Sequence, residues 1–150
     1  MTLRVRTALC FVALAVAACG STEQKPPTVG EVKDFATVCD KAHEGQRVAV
    51  VGYLRFPEKF SGDRSVMLRI YQAADFAGQH LGVQTMIGKQ PNQAEAPPRQ
   101  FTDKDLKVYL TDGQAAAFGT RVKVSGDVYY PSVGQNFQCA LSNPLVERAN

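Results

Sequence analysis

The sequence predicts a mainly β protein, a small barrel of five to six strands with one helix at its N-terminal end. Three observations carry this prediction. Apolar residues alternate with other residues in six stretches between residues 47 and 141, which is the period of a strand with one buried face. Two of these stretches, at 45–54 and 119–128, repeat the same ten-residue sequence pattern. An earlier stretch, 29–43, repeats its apolar residues at helical spacing instead.

The chain begins with residues typical of an export signal. Arg4 and Arg6 precede the apolar run 8–18. As a helix of 1.5 Å per residue this run would span about 16.5 Å, roughly half of a bilayer core. It ends in the letters VAAC, which close with Cys19. This ending resembles the lipobox of bacterial lipoproteins, a family in which the cysteine becomes the acylated first residue of the mature protein.

The resemblance to lipoproteins implies a division of the chain and a location. Residues 1–18 are the signal peptide, 19–28 a lipidated polar tether that carries palmitate, and 29–150 one folded domain. Gly20 after the lipidated cysteine resembles the signal for sorting to the outer membrane. We therefore expect a cell-envelope protein that faces the periplasm from the outer membrane. The alternative is an ordinary secretory signal with an unmodified Cys19.

The charge of the chain limits its class of partner. Loss of Arg4 and Arg6 leaves 15 basic residues against 14 acidic ones, so the mature chain has a net charge near +1. Proteins whose main partner is nucleic acid usually have a much more basic domain, because phosphate contacts supply most of that affinity. The composition therefore disfavours nucleic acid as the main partner.

A helix is predicted over residues 29–43. Thr28 and Glu31 match the T-x-x-E capping box, in which two side chains satisfy free backbone amides at a helix start. Gly45 supplies a stop. The buried face of this helix would consist of Val32, Phe35, Ala36, Cys39 and Ala42.

The strands are predicted from residues that fall in one phase of a two-residue period. Turn residues such as glycine, proline and asparagine lie between them. The inward residues are Val48, Val50, Gly52, Leu54 and Phe56; Val66, Leu68 and Ile70; Val83, Thr85 and Ile87; Leu106, Val108 and Leu110; Val122, Val124, Gly126, Val128 and Tyr130; and Phe137, Cys139 and Leu141.

The pattern G-x-R-V-x-V-x-G-x-[LV] occurs twice, over 45–54 and 119–128. A glycine on the inward face of a long strand lets a small barrel turn a corner. With the strand order, this pair of strands resembles the OB-fold, in particular the OB domains of bacterial envelope proteins of the tRNA-anti-like type, over about 45–146. An OB-fold usually carries a helix between its third and fourth strands, and here 113–119 allows barely two turns. Another small β-barrel or a sandwich is the alternative.

The cysteines predict one disulfide bond. Cys10 leaves with the signal peptide and Cys19 carries the lipid, which leaves Cys39 and Cys139 in an oxidising compartment. Both point inward by the periods above, so we expect a bond that fixes the N-terminal helix to the barrel. Two buried free thiols or a redox pair are the alternatives.

The sequence contains no recognisable catalytic motif. Neither His43 nor His80 has a second metal ligand at metal spacing, and 82–90 fails as a phosphate loop because five residues separate its glycines and Gln90 replaces the hydroxyl residue. The aspartates around the fourth predicted strand are typical of a solvated turn rather than a calcium site. We therefore expect no enzyme, no cofactor and no metal.

Aromatic and basic residues share the outward phase of the strands, the combination that OB-folds use to bind ligands. The alternative is an ordinary solvated strand surface, because tyrosine and long cations suit such positions. The predicted ligand-binding residues are Tyr53, Arg55, Arg69, Tyr71, Lys107, Tyr109, Lys123 and Tyr129.

The function expected from this surface is a binding or adaptor module for an envelope protein or a glycan. A lipoprotein that binds single-stranded nucleic acid is the alternative. A hydrolase would need an activated nucleophile or a general-base pair, and the sequence presents neither. A purely structural spacer is a further alternative.

Overall fold

The computed structural model describes residues 27–60, 62–132 and 136–149. The predicted signal peptide, Cys19 and the tether before Pro27 lie outside the described residues. Within them, the only helices are the 3₁₀ turns at Lys41–His43 and Asp103–Asp105, and no helix is long and apolar enough to cross a bilayer. The strands in chain order are β1 (Glu31–Val32), β2 (Arg47–Arg55), β3 (Ser65–Tyr71), β4 (His80–Met86), β5 (Lys107–Tyr109), β6 (Ala115–Ala117), β7 (Arg121–Tyr129) and β8 (Ala140–Arg148).

Five of these strands close into a barrel. The order around it is β2-β3-β4-β8-β7, and β7 returns to pair with β2. β4 and β8 run parallel, with Gly82 beside Ala140, and the other barrel neighbours are antiparallel. β1 adds a short parallel strand to the start of β2. This closed five-stranded barrel confirms the predicted fold class, a mainly β protein with a small OB-like barrel.

The two strands that share a sequence pattern are β2 and β7, and they pair with each other. Gly52 and Gly126 are both buried, and each lies opposite a valine of the other strand. A Cβ atom at position 52 would lie 2.1 Å from the backbone oxygen of Tyr71 on β3, so only glycine allows this approach. The register of β7 against β8 shifts between Ser125 and Asp127, around Gly126. Such a bulge bends a strand, as a small barrel requires.

The inward side chains of the barrel strands form one apolar core. Burying each of the large side chains contributes about 1.5–3 kcal/mol. The segment between β4 and β7 adds to the same core, and its residues 113–119 contain β6, which pairs with β5, rather than a helix. Fully or nearly fully buried members include Val48, Val50, Leu68, Ile70, Leu81, Val83, Val108, Leu110, Val122, Val124, Val128, Leu141 and Val146.

The helix predicted over residues 29–43 is wrong. Glu31–Val32 form β1, which pairs with β2, and turns follow before the 3₁₀ turn. Phe35 and Val38 are buried, whereas most of the predicted helical face is exposed. The stretch contains Gly30 and four β-branched residues, which have low helix propensity. Backbone pairing with β2 therefore outweighs a weak local preference.

The last strand begins later and runs further than its predicted span of 137–141. β8 covers Ala140–Arg148 and includes Asn143, at a φ of +50°, and Pro144. These two residues interrupt the alternation, so the sequence pattern ended too early. Phe137, predicted to point inward, precedes β8 and is partly exposed.

A disulfide bond joins Cys39 to Cys139, as predicted. Cys139 is fully buried, and Cys39 packs against the core from the N-terminal segment. The hydroxyl of Tyr130 donates a hydrogen bond to the backbone oxygen of Cys39 at 2.6 Å. The segment before β2 is therefore fixed to the barrel by β1, by the disulfide and by this hydrogen bond.

Candidate functional site

The structure divides the eight predicted ligand-binding residues into three groups. Tyr53 and Arg55 on β2 lie directly opposite Tyr71 and Arg69 on β3, on the outer face of the barrel. The remaining four lie elsewhere: Lys107 and Tyr109 on β5 of the separate two-stranded sheet, and Lys123 and Tyr129 on β7. The outward tyrosines and cations therefore form one face on β2 and β3, and this face does not continue through the other four.

The polar groups of the β5 pair converge on one carboxylate. The hydroxyl of Tyr109 donates a hydrogen bond to Glu95 at 2.9 Å, and the ammonium groups of Lys107 and Lys89 lie 3.1 Å and 3.5 Å from the same carboxylate. The hydrogen bond from Lys107 lowers the pKa of Glu95, and in return this carboxylate raises the pKa of Lys107 and of Tyr109. These contacts fasten the segment before β5 to the small sheet.

The β7 pair also has local surroundings of its own. The ammonium of Lys123 lies 2.8 Å from the carboxylate of Glu147, directly across on β8. Tyr129 lies opposite Ala140, and burial raises the pKa of its hydroxyl. Both residues are partly buried, so the outer face of β7 presents a cross-strand ion pair rather than a cleft.

A row of neighbouring depressions lies on the outer surface beside β3 and the start of β4. Three depressions of about 260, 360 and 340 Å³ adjoin one another. The first and second share Pro57, Glu58 and Arg69, and the second and third share Asn136 and Phe137. We call this surface the β3 groove. Its walls come from the loop after β2 and from the residues before β8, the two loops that frame the ligand surface of OB-folds.

One wall of the β3 groove depends on a glycine. Gly82 on β4 lies beside Arg69 on β3 and presents no side chain to the surface. A Cβ atom there would lie 2.7 Å from the ring of Phe137 and 2.9 Å from Cβ of Ala140. The Phe137 ring therefore occupies the place of the missing side chain. Sequence reasoning missed both residues as parts of the site, since neither belongs to an aromatic or basic pattern.

The tyrosines next to the β3 groove are covered by other rings. Tyr71 is 6% exposed, with His80 stacked on it at a centroid distance of 4.7 Å and Phe76 against it at 5.6 Å. Phe76 has a φ of +58°, a conformation that most side chains avoid, and it also contacts Tyr53 and stacks on Phe118 at 5.0 Å. The rings form a packed aromatic cluster. Stacking of a ligand directly on Tyr71 would require this cluster to open.

The two arginines of the β3 groove are held differently. Arg55 and Arg69 lie directly opposite each other on neighbouring strands, where like charges repel. Nε of Arg55 donates a hydrogen bond of 2.7 Å to Asp103, whose side chain is 26% exposed and lies in a turn closed by a capping box. Arg69 is 16% exposed, and its Nη1 lies 3.5 Å from the carboxylate of Glu58, which is 80% exposed. The pair at Arg69 is therefore the looser of the two.

His80 lies at the far end of the β3 groove. Burial lowers the pKa of its imidazole, and the nearby guanidinium of Arg69 lowers it further. The imidazole is therefore neutral near pH 7, and its protonation in acid would add a positive charge to the groove.

A separate depression of about 460 Å³ lies where the described chain begins. It is lined by Pro27 together with uncharged residues of β4, β8 and the segment after β4, including Met86, Gln93 and Asn143. The guanidinium of Arg47 donates hydrogen bonds to the backbone oxygens of Thr28 and Asn143 and pairs with Asp127. These contacts fix the backbone at Thr28 to β2, β7 and β8.

The part of the chain that the structure describes contains no group of three or more histidine, cysteine, aspartate or glutamate side chains placed to hold a metal ion. Comparisons of the chain with protein-family models, with curated proteins and with solved structures find no match. The fold and the groove define the class of protein, a small OB-like barrel with a surface groove between two loops.

Proposed function

We propose that this protein is an outer-membrane lipoprotein whose OB-like domain faces the periplasm and acts as an adaptor module. In this proposal the β3 groove holds an extended segment of a protein partner. The observation that carries the proposal is the row of three neighbouring depressions beside β3 and the start of β4, between two loops. A groove of this kind suits a chain rather than a compact small molecule.

The charges and rings of the groove favour a protein over nucleic acid. Its cations Arg55, Lys59 and Arg69 are accompanied by Glu58 and Asp103, so it lacks the strong positive field that drives phosphate binding. Single-stranded nucleic acid also binds through exposed rings, and Tyr71 is covered. A glycan would also bind through exposed rings, so the covering of Tyr71 disfavours it for the same reason.

The contacts at the start of the domain support a role for a tethered module. Arg47 connects Thr28 to β8 and to β7, and the disulfide connects the following segment to the barrel. A pull on the tether would therefore act on the barrel as one body. In the proposal, acyl chains on Cys19 anchor the protein while the β3 groove remains open to a partner.

The test is the accessibility of the groove in cells. Met67 lines the second depression and becomes the reporter in a Met67→Cys variant; Lys123→Cys, on the outer face of β7, is the matched control. The rate of modification by a small maleimide is compared between intact cells and the purified lipidated protein in detergent. The proposal predicts slower modification in cells at position 67 alone. Equal protection at both positions, or none, contradicts it.

A further inference from the structure

Arg69 is the residue of the β3 groove that is best placed to bind an incoming group. Its side chain is 16% exposed, so its position is fixed by packing, yet it lines both the first and the second depression. Its neighbour on β4 is Gly82, and the ring of Phe137 fills the space next to that glycine. A guanidinium has five N–H donors arranged as a fork that matches a carboxylate.

The existing partner of Arg69 is weakly held. Among the described residues, its carboxylate contact is Glu58 at 3.5 Å, the outer limit of a hydrogen bond, and Glu58 is 80% exposed on the loop after β2. Asp103, by contrast, contacts Arg55 at 2.7 Å from a turn of fixed geometry. Arg55 is therefore held by Asp103, whereas Arg69 can exchange Glu58 for another carboxylate at small cost in free energy.

The charges around Arg69 favour an anion rather than a cation. Arg55 lies directly across the strand pair, and Lys59 lines the second depression. Two guanidiniums side by side repel each other unless carboxylates lie between or beside them. Exchange of Glu58 for a carboxylate that can approach both edges of the Arg69 fork would relieve this repulsion more fully.

We propose that Arg69 is the recognition residue for a carboxylate on an acidic segment of the partner protein, and that Glu58 occupies this position in the free protein and is displaced on binding. This inference rests on the proposed function, because it names the chemistry that the β3 groove recognises. Phosphate groups of a nucleic acid are the competing source of negative charge, and the test separates the two.

The experiment titrates the purified lipidated protein in detergent with tetra-glutamate, and with tetra-glutamine and an octathymidine oligonucleotide for comparison, by calorimetry. Binding of tetra-glutamate, without binding of tetra-glutamine, is expected. R69Q should weaken it by about tenfold or more, the effect of losing a charged hydrogen bond. R69K keeps the charge and loses the fork of N–H donors, so its affinity for tetra-glutamate should lie between those of R69Q and the wild type. E58Q should strengthen binding by about 1.5- to 5-fold, since it removes an exposed ion pair that competes.

The controls keep this inference separate from the proposed function. E147Q removes the partner of Lys123 outside the groove and should leave the affinity unchanged. Circular dichroism establishes that each variant is folded. An E58Q affinity equal to or below the wild type overturns the inference, as does octathymidine binding that is tighter than tetra-glutamate binding and depends on Arg69. Protection of Met67→Cys in cells that persists when R69Q is added overturns the carboxylate role and leaves the groove proposal standing. Absence of protection in Met67→Cys with Arg69 intact removes both.

Discussion

The Phe137 wall of the β3 groove can be tested by the substitution Gly82→Ala. The added Cβ would lie 2.7 Å and 2.8 Å from two ring atoms of Phe137 and 2.9 Å from Cβ of Ala140. All three distances are shorter than the closest approach that side-chain carbons show, so the ring or the β4–β8 pairing has to move. Overpacking of this kind costs about 1–3 kcal/mol of unfolding free energy.

The assay for this prediction is urea unfolding followed by far-ultraviolet circular dichroism, since the chain contains no tryptophan. Because the ring is the nearest obstacle, Gly82→Ala should cost less in a Phe137→Ala background than in the wild type. The difference between the two costs is the coupling energy of a double-mutant cycle. A cost below about 0.5 kcal/mol, or an equal cost in both backgrounds, would show that Phe137 does not occupy the place above Gly82.

Three further results are expected. Replacing Cys39 and Cys139 together by serine opens a loop of 100 residues and should lower the unfolding free energy by up to about 4.7 kcal/mol, measured by urea unfolding; a change below about 1 kcal/mol would contradict a stabilising role. The pKa of His80 is lowered in the folded state, so the unfolded chain takes up the proton first and the unfolding free energy should fall as the pH drops below about 6.5. In a plot of unfolding free energy against pH between 5 and 7.5, the slope should flatten in H80Q and persist in H43Q. Metabolic labelling with palmitate should mark the wild type and not Cys19→Ser, and an unlabelled wild type would refute the anchor.

The barrel strands could be predicted because their physical determinants are local. β2 and β7 alternate buried and outward residues over most of their nine positions, apart from three consecutive buried residues in each, and both carry a glycine at the same place. At Gly52 the close approach of Tyr71 requires it. The disulfide followed from the phase of two patterns. The predicted helix is absent, but Cys39 still packs against the core from the turn that replaces it, so the predicted disulfide forms.

The helix itself could not be excluded from the sequence. The capping box and the spacing of apolar residues are signals of only a few tenths to about one kcal/mol. They compete with the pairing of β1 with β2, which joins residues 31–32 to 48–49. The sequence around residues 31–32 does not indicate that they pair with a strand 17 residues later. The predicted last strand is too short for a related reason, because Pro144 interrupts the alternating pattern without ending β8.

The groove was predictable only in part. Tyr53, Arg55, Arg69 and Tyr71 are brought together by the register of β2 and β3, which their alternation indicated. Lys107 and Tyr109 lie apart from these four residues because β5 belongs to the separate two-stranded sheet. The covering of Tyr71 by Phe76 depends on a left-handed residue in a loop, and the Phe137 wall depends on space left by Gly82. Such tertiary contacts leave no periodic signal in the sequence.

The most direct test of the central claim is photo-crosslinking in living cells from position 67. A photoreactive residue replaces Met67 in the β3 groove, and the same residue at Lys123 on the outer face of β7 is the control. The account predicts a discrete protein adduct from position 67 that is absent from position 123. If position 67 gives no adduct in cells that contain the folded protein, or if both positions give the same adducts, the β3 groove is not the surface that binds a partner.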